Sequence, residues 1–140
     1  MLKLILALSL SAATAVAQNG VLYKTFADKM KAYGYDDSSF EAIKVKTDDG
    51  FTLTTFRITG NADGPLKPTK PPVFIQHGMK DDAATFLSAM TDLEFTGLPF
   101  HLQLVEAGYD VFIGNNRGAE YSQVHDTLTV DDAEFWAYSW

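Results

Sequence analysis

The sequence contains no cysteine, which excludes disulfides, thiolate nucleophiles and cysteine-ligated metal sites. In an oxidising compartment its stability would therefore rest on packing alone. It also lacks any Asn-x-Ser/Thr acceptor for an N-linked glycan. Positive charge is scarce, with 11 lysines and arginines against 18 acidic residues and a formal net charge of −7. No Lys/Arg cluster is dense enough to neutralise a phosphate backbone, so nucleic acid is not an expected partner. The three histidines, His77, His101 and His125, stand 24 residues apart and lack the accompanying carboxylates of a metal site. Neither a metal nor another cofactor is expected.

Long apolar runs are missing too, except at the N-terminus. Lys3 gives a positive start, Leu4 to Leu10 an apolar stretch, and Ala15-Val16-Ala17 a small-residue cleavage site. Residues 1–17 therefore read as a secretory signal peptide, leaving 18–140 as the mature chain, secreted or lysosomal by way of the secretory pathway. A transmembrane segment needs roughly 20 apolar residues. This run is interrupted by Ser11, Thr14 and Gln18, and nothing later approaches that length. The whole chain is 46% hydrophobic, 21% charged and 13% aromatic, the makeup of one globular domain.

Apolar residues Leu22, Phe26 and Met30 recur every fourth position, predicting a short amphipathic helix within Val21–Tyr33 that ends at Gly34. Glu41–Lys46 and Phe51–Thr59 alternate around Asp48-Asp49-Gly50, predicting an antiparallel hairpin. Gly60–Pro72, with four prolines, reads as a surface connection. Val73-Phe74-Ile75-Gln76 is a continuous apolar run of the kind found in strands buried on both faces. Helices are expected over Asp82–Met90 and Phe100–Ala107, the second closed by Gly108. Tyr109–Ile113 reads as another buried strand. A loop then runs to Val130, before a last helix capped by Asp131 or Asp132 and containing Phe135, Trp136 and Trp140. The order predicts an α/β fold in which an antiparallel hairpin leads into parallel βαβ units with flanking helices.

Several spaced motifs occur in one order: Tyr33-Gly34-Tyr35, then Thr47-Asp48-Asp49-Gly50-Phe51-Thr52-Leu53, Arg57-Ile58 and Gln76-His77-Gly78. Asp82, Phe86 and Glu106-Ala107-Gly108-Tyr109-Asp110-Val111-Phe112 follow. Gly114-Asn115-Asn116-Arg117-Gly118, Tyr121-Ser122, His125 and Glu134-Phe135-Trp136-Ala137-Tyr138-Ser139 complete the series. From Tyr33 to Trp140 the chain resembles the N-terminal portion of the acid lipases, gastric and lysosomal, which have the α/β-hydrolase fold. It departs from them at Met79 and Lys80, where the family usually has leucines, and in the aromatic that follows the Arg-Gly turn.

The resemblance implies a serine lipase or carboxylic ester hydrolase acting on neutral lipids, triacylglycerols or sterol esters, at a lipid–water interface. It implies that Gln76-His77-Gly78 is the oxyanion loop and that the Met79 backbone N–H is one oxyanion donor, supported by His77 and Gly78. A histidine can act as general base near neutral pH. His77, however, stands at a strand end where its ring more plainly shapes the loop by hydrogen bonding, and the family's base comes later in the sequence. None of the serines at 11, 38, 39, 88, 122 or 139 lies in Gly-x-Ser-x-Gly. The triad serine, aspartate and histidine are thus absent, and the chain alone is expected to be inactive. The alternative is a non-catalytic paralogue that binds lipid or a protein partner.

Other groups invite functional readings that the residues support less well. Asp81-Asp82 and Asp131-Asp132 precede predicted helices, where capping accounts for them. Gly114–Gly118 lacks the Gly-Lys-Ser/Thr ending of a phosphate loop and reads as the turn after a strand, with Arg117 bracing it. The aromatics from Phe135 to Trp140 fit either a core or a lipid-facing surface.

Overall fold

Phe26 and Met30, one helical turn apart, fix the first element of the computed structural model, which describes residues 22–88 and 97–138. The predicted signal peptide and Trp140 lie outside the described residues. Helix α1 (Lys24–Lys31) buries Phe26, Ala27 and Met30. Leu22, expected on the same stripe, is instead 64% exposed. The backbone at Tyr23 leaves the helical region (φ −123°, ψ 41°), so it is Tyr23 that enters the core, edge-on to Phe56 at 5.1 Å.

Strands β1 (Phe40–Lys46) and β2 (Phe51–Ile58) form the expected hairpin, in register from Phe40 opposite Ile58 to Lys46 opposite Thr52. Its turn is closed by the Gly50 N–H donating to the Thr47 carbonyl at 3.1 Å. Phe56 stacks on Phe26 at 4.1 Å, and Phe40 meets both rings edge-on. This aromatic cluster seats α1 on the sheet, each ring adding geometry-specific attraction to its buried area. The Gly60–Pro72 connection is not wholly irregular, because Gly60–Asn61 (β3) pairs with Gly64–Pro65 (β4). Two-residue strands carry too little periodicity to be read from sequence.

Strand β5 (Pro72–Gln76) runs parallel to β6 (Asp110–Gly114), Pro72 opposite Asp110 and Gln76 opposite Gly114, and β6 runs antiparallel to β2. The sheet order is β1-β2-β6-β5, with β7 (Val124–His125) also pairing with β2. This is the mixed α/β sheet expected of the N-terminal part of an α/β-hydrolase. β5 corrects one expectation: Phe74 is 61% exposed, so the strand is not buried on both faces. Successive side chains alternate between faces, and β5 is the last strand of the sheet among the described residues. In β6, Val111 and Ile113 are fully buried. Phe112 lies on the opposite face beneath the Arg57 guanidinium, 5.4 Å from the ring centre.

Arg57 joins three strands. Its Nε and Nη2 donate to the two Asp110 carboxylate oxygens at 2.8 and 3.0 Å, and Nη1 donates to Glu41 at 3.1 Å. These bonds, Asp110 foremost, raise the Arg57 pKa further above its ordinary value. Paired N–H donors matched to both carboxylate oxygens fix geometry as well as charge.

The predicted Asp82–Met90 helix is a shorter 3₁₀ segment, Ala83–Leu87, with residues 89–90 outside the described range. Asp82 caps it as expected, accepting from the Ala84 N–H at 2.6 Å. Helix α2 (Phe100–Glu106) matches its prediction, and Gly108 follows at φ +91°, a conformation costly for any residue with a Cβ. The last predicted helix is also a 3₁₀ segment, Ala133–Trp136. Asp132 stands at its start but does not cap it. Its carboxylate turns back to accept from the Thr129 N–H and hydroxyl at 2.7 and 2.9 Å. Among the described residues, no helix is long and apolar enough to cross a membrane.

Candidate functional site

Parallel strands β5 and β6 deliver their following loops to the same end of the sheet, the C-terminal end where open α/β sheets bind ligands. The loop after β5 (77–82) and the loop after β6 (115–120) face each other across a cleft of about 450 Å³. Met79, Lys80, Arg117, Gly118, Trp136 and Tyr138 are among its lining residues.

His77 is only 7% exposed, and both of its ring nitrogens are engaged. Nε2 accepts from the Asn116 backbone N–H at 3.0 Å, while Nδ1 lies 2.7 Å from the Gly78 carbonyl. One tautomer satisfies both, a neutral ring with its proton on Nδ1. The imidazole thus ties one loop to the other and has no lone pair left to take a substrate proton. At Gly78, apart from its chain neighbours, no atom of the described residues lies within 4 Å of the position a Cβ would occupy, so the space beside it is open among them. The Met79 side chain is 75% exposed. Its backbone N–H has no acceptor among the described residues. Lys80 follows at φ +63°, the one non-glycine residue with positive φ among those described. Such backbone strain collects at functional loops.

Two residues that sequence reasoning treated only as part of a turn hold this arrangement together. Buried Asn115 donates from Nδ2 to the Thr54 carbonyl at 2.8 Å and accepts at Oδ1 from the Ala83 N–H at 2.9 Å. It therefore fixes the 3₁₀ segment to β2. Asn116 accepts at Oδ1 from Gln76 Nε2 at 2.9 Å, besides bonding His77. The sequence signal was present: consecutive amide side chains directly after a buried strand, each able to donate and accept at once.

Arg117 braces the loop, donating to Asp49 in the hairpin turn, with its guanidinium 4.9 Å from the Phe51 ring centre and 5.5 Å from that of Tyr138. The Asp49 carboxyl is held below its ordinary pKa, first by the Thr47 hydroxyl and also by Arg117. Tyr138 closes the brace by donating its hydroxyl to the Arg117 carbonyl at 2.7 Å. Gly118 sits at φ +78° with Tyr138 and Trp136 packed where a side chain would begin, so any larger residue meets both strain and collision. Of the C-terminal aromatics, Phe135 is core, against Phe51 at 5.1 Å, whereas Trp136 remains 47% exposed on the cleft.

The other two histidines lie elsewhere. His125 is part of the hairpin anchor: Nε2 lies 2.9 Å from the Asp49 carbonyl and Nδ1 accepts from the Thr127 and Leu128 N–H groups, both at 3.1 Å. His101 is buried in α2. Among the described residues, no three His, Cys, Asp or Glu side chains cluster to hold a metal.

Residues 26–90 match the family described as the partial alpha/beta-hydrolase lipase region. The human lysosomal acid lipase/cholesteryl ester hydrolase is 41% identical over 101 residues, which is 71% of this chain and 24% of that protein. Bovine gastric triacylglycerol lipase is 34% identical over 125 residues, 89% of this chain and 30% of its own length. Lipase 1 of Drosophila melanogaster is 38% identical over 114 residues, 81% of this chain and 23% of that protein. The chain thus spans between about a quarter and a third of the curated relatives it matches.

Proposed function

Because the chain is an N-terminal portion of the acid-lipase family, we propose that it serves a serine hydrolase cleaving carboxylic esters of neutral lipids, triacylglycerols or sterol esters, at a lipid–water interface. Its own contribution is the oxyanion loop. Attack of a serine on an ester carbonyl places negative charge on the carbonyl oxygen, and backbone N–H groups already aimed at that oxygen stabilise it. The observation carrying this reading is the Met79 N–H, which has no acceptor among the described residues, on a cleft at the strand ends in a loop pinned through His77 and Asn116. The second donor is the amide that follows the nucleophilic serine, and no serine of these 140 residues stands in the elbow motif. By itself the chain therefore hydrolyses no ester. Residues 1–17 direct it into the secretory pathway, for export or for the lysosome.

Assays of the purified full-length protein on emulsified triolein and cholesteryl oleate test the substrate class. Release of oleate from at least one of them is expected. Hydrolysis confined to short water-soluble esters, with neither emulsion attacked, would contradict the neutral-lipid reading.

A further inference from the structure

Two Asp-Gly pairs occur in the chain, Asp49-Gly50 in the turn between β1 and β2 and Asp63-Gly64 in the turn between β3 and β4. In each, the backbone nitrogen that follows the aspartate belongs to a residue with no Cβ to obstruct its approach to the neighbouring carboxyl. Both glycines stand at positive φ, +92° at Gly50 and +124° at Gly64. The pairs are alike in these respects, and their surroundings separate them.

Around Asp49 the reacting groups are held in place. The Thr47 hydroxyl and then Arg117 keep its carboxylate ionised, below its ordinary pKa. The Gly50 N–H donates to the Thr47 carbonyl at 3.1 Å, and the Gly50 carbonyl accepts from the Asp126 N–H at 3.1 Å. His125 Nε2 lies 2.9 Å from the Asp49 carbonyl and 2.8 Å from where a Gly50 Cβ would stand, so the imidazole blocks rotation of this peptide. Asp63, by contrast, is exposed. Its N–H donates to Asn61 Oδ1 at 3.0 Å, but its carboxylate has no hydrogen-bond or ion-pair partner among the described residues. Apart from chain neighbours, none of their atoms lies within 4 Å of a Cβ position on Gly64. The ladder here has only two pairs, Asn61 with Gly64 and Gly60 with Pro65, and proline brings no N–H to it. Little holds this turn against local opening.

We propose that Asp63-Gly64 is a site of spontaneous covalent modification, where aspartate converts to isoaspartate, and that Asp49-Gly50 is protected from the same reaction by its contacts. The Gly64 nitrogen attacks Cγ of the protonated Asp63 carboxyl. A Cγ–N bond forms, a Cγ–O bond breaks, and the hydroxyl leaves as water with the amide proton. Water then opens the five-membered imide at either carbonyl carbon. Opening at Cγ restores aspartate, whereas opening at the backbone carbonyl leaves the chain running through Cβ and Cγ. One water is lost and one regained, so nothing is oxidised or reduced and the mass is unchanged. The product carries one extra backbone carbon between Asp63 Cα and the Gly64 nitrogen, inside a turn whose ladder cannot keep its register around it. Neither residue lines the cleft at the strand ends, and the reaction needs no partner but water.

The test is to incubate the full-length protein for weeks at pH 5, digest samples with trypsin and locate isoaspartate by electron-transfer fragmentation. Arg57 lies between the two pairs, so each falls in its own peptide. Isoaspartate is expected to form at position 63 at least about tenfold faster than at position 49, the effect of one hydrogen bond to a charged group. In concentrated guanidinium chloride at the same pH the two rates should converge, because the contacts that protect Asp49 are gone. Asp63→Glu should abolish the product at that position, since the longer side chain would have to close a six-membered ring. The proposal is overturned if position 63 stays unmodified in the native protein, if position 49 reacts as fast, or if the preference persists undiminished in denaturant.

Discussion

Replacing Met79 with proline in the full-length protein lowers ester turnover by about 100- to 1000-fold, the usual cost of losing one oxyanion donor, whereas Met79→Ala leaves it near wild type. Proline deletes the backbone N–H, and alanine keeps it. The exposed Met79 side chain has little packing to lose, which is also why methionine serves where the family usually has leucine. The loss should fall mainly on kcat, because the donor acts on charge that develops only in the transition state. Proline also restricts Gly78 before it, so thermal melts must accompany the kinetics. A Met79→Pro enzyme that melts normally and turns over at the wild-type rate would remove this amide from the mechanism.

The second large effect concerns acid. Burial pushes the His101 imidazole down to about 4, against 6.5 for the free side chain. Between those values the unfolded chain binds a proton that the native state refuses, so stability rises with pH across that window. His101's favourable contribution is complete above pH 6.5, declines as pH falls, and is exhausted below about 4. At 1.36 kcal/mol per pKa unit the total is about 3 kcal/mol. Urea unfolding of wild type and His101→Leu at pH 7 and pH 4.5 checks this. The variant should lose much less stability than wild type between the two pH values, and parallel losses would show that His101 is not the group responsible.

How much of this was legible in the sequence depended on the length of each signal. The hairpin was readable because Phe51-Thr52-Leu53-Thr54 and Phe56-Arg57-Ile58 each alternate apolar and polar residues after a turn rich in Asp and Gly. Strands β5 and β6 were readable as apolar runs, but a run does not reveal whether a neighbour covers it, hence the misjudged burial of Phe74. The two 3₁₀ segments read from sequence only as helices, because four or five residues cannot distinguish a 3.0 from a 3.6 repeat. Strands β3, β4 and β7, at two residues each, exist only through their partners. Motif order singled out His77, Gly78 and Met79, which line the cleft at the strand ends. The locking role of Asn115 and Asn116 depends on contacts with residues 32 to 61 positions away, and no local pattern encodes those.

The central claim is that this chain carries the oxyanion loop of a serine ester hydrolase, and covalent labelling tests it most directly. The full-length protein would be treated with a serine-reactive alkylphosphonate and its labelled peptide identified by mass spectrometry while residual lipase activity is followed. The account predicts one modified serine, in a Gly-x-Ser-x-Gly sequence beyond residue 140, with activity lost in proportion to labelling. A folded protein that takes no label, or takes it on Ser88 or Ser122 within this chain, would contradict it.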